Sequence, residues 1–220
     1  MLLYNNNTMA RKQNQKSSWE KKGASIGGSI GAIASKVKNI IEELNVEQKH
    51  VGTTINSTAT NTGLTTYLLN IPQGLGSSDR TGNSLKLTSA FVRFNAFLNI
   101  AVPTNCIIRV LMFKDNQQIG DTTPLLTDVL ESVSVYSGYN TTLNVGRFTV
   151  MYDKTFNLTT VAMPVINVQK IYKKMNQKVK YNGVAGADIQ KDGIYFSILS
   201  NITSNYPTVR ADVRMRFVDN

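Results

Sequence analysis

In 220 residues the sequence provides one histidine, one cysteine and one tryptophan. Each scarcity closes off a class of chemistry. A single histidine, His50, excludes a histidine-based metal cluster within one chain, and any nucleophile–histidine relay would depend on that one residue. His50 falls where an amphipathic helix is expected to end, a position that favours positive character. A single cysteine, Cys106, excludes an intrachain disulfide; within CIIRVLMF it reads as a small buried apolar residue. Acids are sparse as well. Asp79, Asp115, Asp121, Asp153, Asp188 and Asp192 fall mostly in turn-like stretches without a cation-specific spacing. Neither a G-x-x-x-x-G-K-[ST] loop nor a G-x-G-x-x-G following a strand occurs. Long apolar runs are missing too. MLLY is too short for the core of a signal peptide, and GASIGGSIGAIAS at 23–35 is too short and too glycine-rich to span a bilayer. No catalytic residue is assigned, and a soluble protein made without a secretory signal is expected. The Asn-x-Ser/Thr triplets at Asn6, Asn56, Asn140, Asn157 and Asn201 then follow from an Asn/Thr-rich composition.

What the sequence does have is positive charge, unevenly placed. The formal net charge is +10, a surplus that favours polyanions such as nucleic acid or an anionic membrane. Residues 1–40 hold seven basic groups and one acid, a net +6 on less than a fifth of the chain. Arg11, Lys12, Lys16, Lys21 and Lys22 crowd into twelve residues among Gln, Asn and Ser, and Lys36 and Lys38 follow. Such a tract has no hydrophobic period and is expected to be disordered in isolation. It suits salt-sensitive, sequence-independent phosphate binding through counterion release. Trp19 either stacks on an unpaired base or is an incidental aromatic in the tail. A second cluster, Lys170, Lys173, Lys174, Lys178 and Lys180, lies beside a predicted strand and suits enclosed nucleic acid, a neighbouring subunit or a merely solvated face.

From Ile26 the pattern changes. Ile26, Ile30, Ile33, Val37, Ile40 and Leu44 are spaced alternately by four and three residues, a heptad seam. Gly23, Gly27, Gly28 and Gly31 weaken its first half, so the firm helix is expected from about Ala32 to Gln48. The stripe packs on its own domain or joins copies of the chain. Isoleucine at both kinds of seam position favours three strands over two. The small residues at four-residue spacing leave a membrane helix contact open as a different reading.

After Gly52 the sequence reads as strands: 67–71, 85–102, 106–113, 147–152, 178–181, 194–199 and 209–218. In the last, Val209, Ala211, Val213, Met215 and Phe217 face one way and Arg210, Asp212, Arg214 and Arg216 the other, as in a half-buried antiparallel strand. CIIRVLMF and IYFSIL are near-continuously apolar and are expected at the centre of a sheet. The run 85–102 changes phase near Ser89–Arg93, which suggests a bulge. In TTPLLTDVLES, Thr123 can cap a short helix with Pro124 at its first position and Leu125, Leu126, Val129 and Leu130 as an apolar stripe. About eight strands with no βαβ rhythm predict an antiparallel sandwich or jelly roll.

Three segments carry a resemblance: IIRVLMFKDNQQIGDTTPLLTDVLE at 107–131, YNTTLNVGRFTVMYDKTFNLT at 139–159 and VKYNG at 179–183. With the basic arm and the helix, they resemble the coat protein of satellite tobacco necrosis virus, and still more the capsid proteins of small circular single-stranded DNA viruses. The resemblance implies an all-β, eight-stranded antiparallel jelly roll: arm 1–25, amphipathic helix 26–50 and shell domain 51–220, with a short inserted helix. It further implies the smallest icosahedral shell, of about sixty identical subunits, with helices clustered at threefold axes and arms on a packaged single-stranded genome, DNA before RNA. Calcium can lie between subunits in such shells, although no ligands map onto this sequence. A nucleic-acid-binding β-sandwich that builds no shell, or a jelly-roll sugar binder, are the other readings. The sequence names neither host nor receptor.

Overall fold

A computed structural model describes residues 31–37, 48–98, 105–117, 120–142, 144–160 and 164–219. The chain divides into two units, residues 1–46 and 47–220. In the first, residues 31–37 form a helix, α1, on which Ile33 and Val37 are exposed. The second is built of strands, namely β1 (Gln48–Thr58), β2 (Leu64–Tyr67), β3 (Ser84–Phe97), β4 (Asn105–Asp115), β5 (Phe148–Thr159), β6 (Val165–Tyr181), β7 (Ile189–Lys191), β8 (Gly193–Ser200) and β9 (Thr208–Asp219), with one short helix, α2 (Leu126–Val129).

The strands form two antiparallel sheets, one ordered β1-β9-β3-β6-β7 and the other β2-β8-β4-β5. Their sequences differ because their surroundings differ. The five-stranded sheet has one face in the core and one in water, so its strands alternate. In β9, Val209, Ala211, Val213, Met215 and Phe217 are buried while the residues between them are exposed. The four-stranded sheet is covered on both faces, so its central strands β4 and β8 read as nearly unbroken apolar runs. One face meets the five-stranded sheet, with Phe94 of β3 edge-on to Phe156 of β5 and tilted against Phe196 of β8. Burying such a ring contributes about 1.5–3 kcal/mol. The other face is covered by α2 and the segment after it, where Leu126, Val129, Leu130 and Val135 pack on Leu111, Phe113, Tyr195 and Leu199.

Several expectations are corrected. The helix does not reach Gln48 or His50: β1 begins at Gln48, and His50 lies opposite Arg216 on β9. The β-branched residues of VGTTINST, with Ile55 in the core, gain more from pairing with β9 than from extending a helix. The shell unit therefore starts before residue 51. The described residues form nine strands where eight were expected; the short β7 has three residues and, among them, pairs with the end of β6. β6 runs from Val165, far upstream of the expected 178–181. The strand expected at 67–71 ends at Tyr67, and Leu68, Leu69 and Ile71 are buried beyond it. α2 begins at Leu126 rather than Pro124. Its start is held by the Leu125 amide donating to the Asp128 carboxylate (3.0 Å), not by Thr123, and Leu125 is exposed. The bulge in β3 falls between Leu87 and Ser89. Cys106, by contrast, is buried as expected, which pushes its thiol up to about 11.

The covering segment is pinned by charge. The Arg147 guanidinium donates to both oxygens of Asp115, whose side chain is fully buried at the end of β4. Arg109 of β4 donates to both oxygens of Asp153 on β5 and to the Ser137 carbonyl, and the Tyr139 hydroxyl donates to Asp153 at 2.6 Å. Burial would raise the Asp153 carboxyl, but the hydrogen bonds from Arg109 and Tyr139 outweigh it and hold it below the usual carboxylate range. Arg147→Met leaves Asp115 buried without its cation and should cost about 3–5 kcal/mol. Urea unfolding should show a lower midpoint at unchanged slope. A depressed carboxyl stabilises fully above its unfolded value of about 3.9, and that contribution is lost as pH falls through the folded value. Stability of the wild type should therefore fall below about pH 4, and Asp153→Asn should flatten that fall while lowering stability at neutral pH.

Candidate nucleic-acid interface

The sequence-predicted site residues divide by what is described. Arg11, Lys12, Lys16, Lys21, Lys22, Lys38, Ile26, Ile30, Ile40 and Leu44 lie outside the described residues. Lys36 is on α1 with Ile33 and Val37, all three exposed. Among the described residues no group of three His, Cys, Asp or Glu is placed to hold a metal ion, and no helix is long and apolar enough to cross a membrane. A shallow depression between α2 and β5, lined by Val129, Tyr139, Asn144, Val145, Phe148 and Val150, offers mainly apolar surface and no acid–base pair.

The concentrated chemistry is on the solvent face of the five-stranded sheet. The pleat sends every second residue of each strand to that face. From β9 it receives Arg210, Asp212, Arg214 and Arg216, and from β3 Lys86 and Arg93. From β6 it receives Lys170, Tyr172, Lys174, Lys178 and Lys180, and from β7 Lys191. Every one of these is exposed. Directly paired residues share a face, so the register assembles them into rows. Thr54, Asp212, Arg93 and Lys170 form one, Gly52, Arg214, Phe91 and Tyr172 the next, and His50, Arg216, Ser89 and Lys174 the third. Lys86 faces Lys178, and Lys180 faces Lys191.

The imbalance is severe. Among the described residues of these faces the one acid is Asp212, which accepts from the Thr54 hydroxyl and lies opposite Arg93. Elsewhere four cations are paired: Arg109 with Asp153, Arg147 with Asp115, Lys49 with Asp219 and Lys114 with Asp192. Four acids of the body, Asp115, Asp153, Asp192 and Asp219, are thus committed to ion pairs away from this face, while ten cations crowd the sheet's outer side. Like charges directly opposite each other destabilise a sheet, yet Lys86–Lys178, Lys180–Lys191 and Arg93–Lys170 are three such pairs. A polyanion laid on this face would relieve that repulsion and release counterions.

The lysine cluster at 170–180 was visible in the sequence; its union with Arg93 and the β9 arginines was not. Lys173 departs from the cluster, since it lies opposite the core-facing Ala90 and so on the other side of the strand. The signal that could have found the face is the strict alternation of β9, whose polar side is arginine at three of four positions.

A model of the satellite tobacco necrosis virus coat protein matches residues 9–220, and the chain belongs to that family. A coat protein of Maize white line mosaic Satellite virus is 28% identical over 201 residues, covering 87% of this chain and 91% of its own length. A coat protein of Satellite tobacco necrosis virus 2 is 31% identical over 156 residues, covering 70% of this chain and 76% of its own. The capsid protein of Satellite tobacco necrosis virus 1 is 30% identical over 114 residues, covering 51% and 55%. These matches lend no support to a closer likeness with the capsid proteins of DNA viruses. A solved structure of Desmodium yellow mottle tymovirus overlaps 78% of the chain and 88% of its own at 6% identity, but its TM-score of 0.31 carries no argument.

Neutralising Lys170, Lys174 and Arg214 together with glutamine should lower the salt concentration at which the full chain elutes from a polyanion column. Each exposed site should alter folding stability by no more than about 0.5 kcal/mol. Chromatography and urea unfolding of the triple variant check both halves.

Proposed function

We propose that this chain is the coat subunit of a satellite virus and encloses a single-stranded nucleic-acid genome. The observation that carries the packaging role is the predominantly basic face of the five-stranded sheet. We read the body as a jelly roll. Without β7, the strand orders β1-β9-β3-β6 and β2-β8-β4-β5 interleave early and late strands in the manner of two nested Greek keys. The proposed assembly is the smallest icosahedral shell, of roughly sixty identical chains, found in the virion. Its wall turns the basic sheet face toward the genome. The arm residues Arg11, Lys12, Lys16, Lys21 and Lys22, with Lys36 and Lys38, add a second phosphate-binding element. The seam Ile26, Ile30, Ile33, Val37, Ile40 and Leu44 joins three chains at a threefold axis. The role is structural rather than enzymatic, as membership in a coat-protein family favours. That membership also sets aside a sugar binder and a nucleic-acid-binding sandwich that forms no shell. Phosphate contacts do not distinguish the sugar, so neither arm nor face favours DNA; that preference rested on the DNA-virus likeness alone.

Deleting residues 10–24 removes five basic groups without touching a described strand. Particles purified from an expression host should then contain sharply less nucleic acid by absorbance ratio, while the circular dichroism of the β unit is unchanged. Undiminished nucleic-acid content would remove the arm from the packaging role, and failure of the intact chain to form particles would overturn the coat reading itself.

A further inference from the structure

The basic face holds one feature that charge alone does not require. Tyr172 stands in the middle of it with 62% of its surface exposed. Its neighbours two residues away along β6 are Lys170 and Lys174, so the three span about 13 Å on one face of one strand. Across the sheet it lies opposite Phe91, which is only half-buried and itself opposite Arg214. A tyrosine ring exposed to this degree gains little from folding. Its position between two lysines and beside a Phe–Arg row gives it an apolar surface inside a strongly positive field. The chemistry that fits such a surface is a planar, apolar ring attached to anionic groups on either side.

We infer that Tyr172 is a stacking platform for an unpaired base, with Lys170 and Lys174 on the flanking phosphates and Arg214 on the far side of the row. This rests on the reading of the sheet face as a nucleic-acid surface and adds a selectivity to it. In a duplex the base faces are stacked inside the helix and only phosphates, sugars and base edges reach the protein; in a single strand the ring face of any base is available. The face would therefore hold single-stranded segments more tightly than duplex of equal phosphate count. It would do so without sequence preference, because every base presents a π-face.

The test uses the full chain and four variants, Tyr172→Ala, Tyr172→Leu, Tyr172→Phe and the double change Lys170→Gln with Lys174→Gln. Affinity is read by fluorescence anisotropy against a single-stranded RNA oligonucleotide, its duplex form and an abasic single strand of the same phosphate count. Loss of a stacked base is expected to weaken single-strand binding by roughly 5- to 100-fold in Tyr172→Ala. Tyr172→Leu should lose nearly as much, since it keeps apolar bulk without the ring, and Tyr172→Phe should bind like the wild type. Duplex and abasic strand should be bound equally by all three Tyr172 variants. The lysine double change should weaken all three ligands and flatten the salt dependence.

If the lysine change weakens nothing, the sheet face is not a nucleic-acid surface and the underlying reading fails with the inference. If it weakens all ligands while Tyr172→Ala changes single strand and duplex alike, or neither, the charge reading stands and the platform is overturned. Lost particle assembly with unchanged oligonucleotide affinity would assign Tyr172 to a contact between subunits and would also overturn it. Ultraviolet crosslinking of the wild type to RNA, mapped by mass spectrometry, should place an adduct on the peptide containing Tyr172.

Discussion

Side chains on a β-strand point alternately to opposite faces, and a sheet with one face in the core must segregate its residues by that period of two. The five-stranded sheet follows the constraint closely. Val213 and Met215 go into the core and Arg214 and Arg216 into water; Ile171 goes in, and Lys170 and Tyr172 go out. Once antiparallel register places β9, β3 and β6 side by side, the outward sets merge into one continuous cationic surface. A slip of one residue in any of the three strands would bury arginine or lysine and expose the core. The same register that specifies the fold therefore specifies the charged face.

The other sheet obeys the same period but has no free face. The residues that carried the resemblance from sequence explain why. Arg109, Asp115, Tyr139, Arg147 and Asp153 are scattered through 107–159, and in the fold they form two ion pairs, Arg109–Asp153 with Tyr139 donating to Asp153 and Arg147–Asp115, that hold the α2 segment over β4 and β5. Under that cover lie Leu111, Phe113 and Tyr195, with Phe113 stacked on Tyr195 at 5.6 Å between ring centroids. Pairing these acids internally has a consequence on the opposite side of the molecule, because carboxylates committed to Arg109 and Arg147 do not neutralise the basic face.

How much could be read from sequence varied with how closely each strand followed the simple pattern. β9 alternates without interruption, and β4 and β8 are apolar enough to mark central strands. β6 was mostly missed for a definite reason. Its buried residues Ile166, Ile171, Val179 and Tyr181 are unevenly spaced, with an irregularity opposite Phe94–Ala96, and its exposed side is so lysine-rich that the stretch reads as solvated loop. β1 was missed because it lies at a sheet edge and buries only Ile55 fully; its identity as a strand comes from partnership with β9, which lies more than 150 residues later in the chain. The heptad pattern, extended by momentum, carried the expected helix into that strand and misplaced His50. Of the candidate interface, single strands disclosed their own charges, but which charges share a surface is a property of long-range pairing and is not written locally.

The central claim is that the cationic face of the five-stranded sheet is the surface that meets the genome. Electron cryomicroscopy of the purified particle tests it most directly, by showing which way that sheet faces. The account predicts that Arg93, Lys170, Lys174 and Arg214 face the particle interior, against density that disappears when nucleic acid is removed. A reconstruction in which those residues lie on the outer surface, or are buried against a neighbouring subunit, would contradict it.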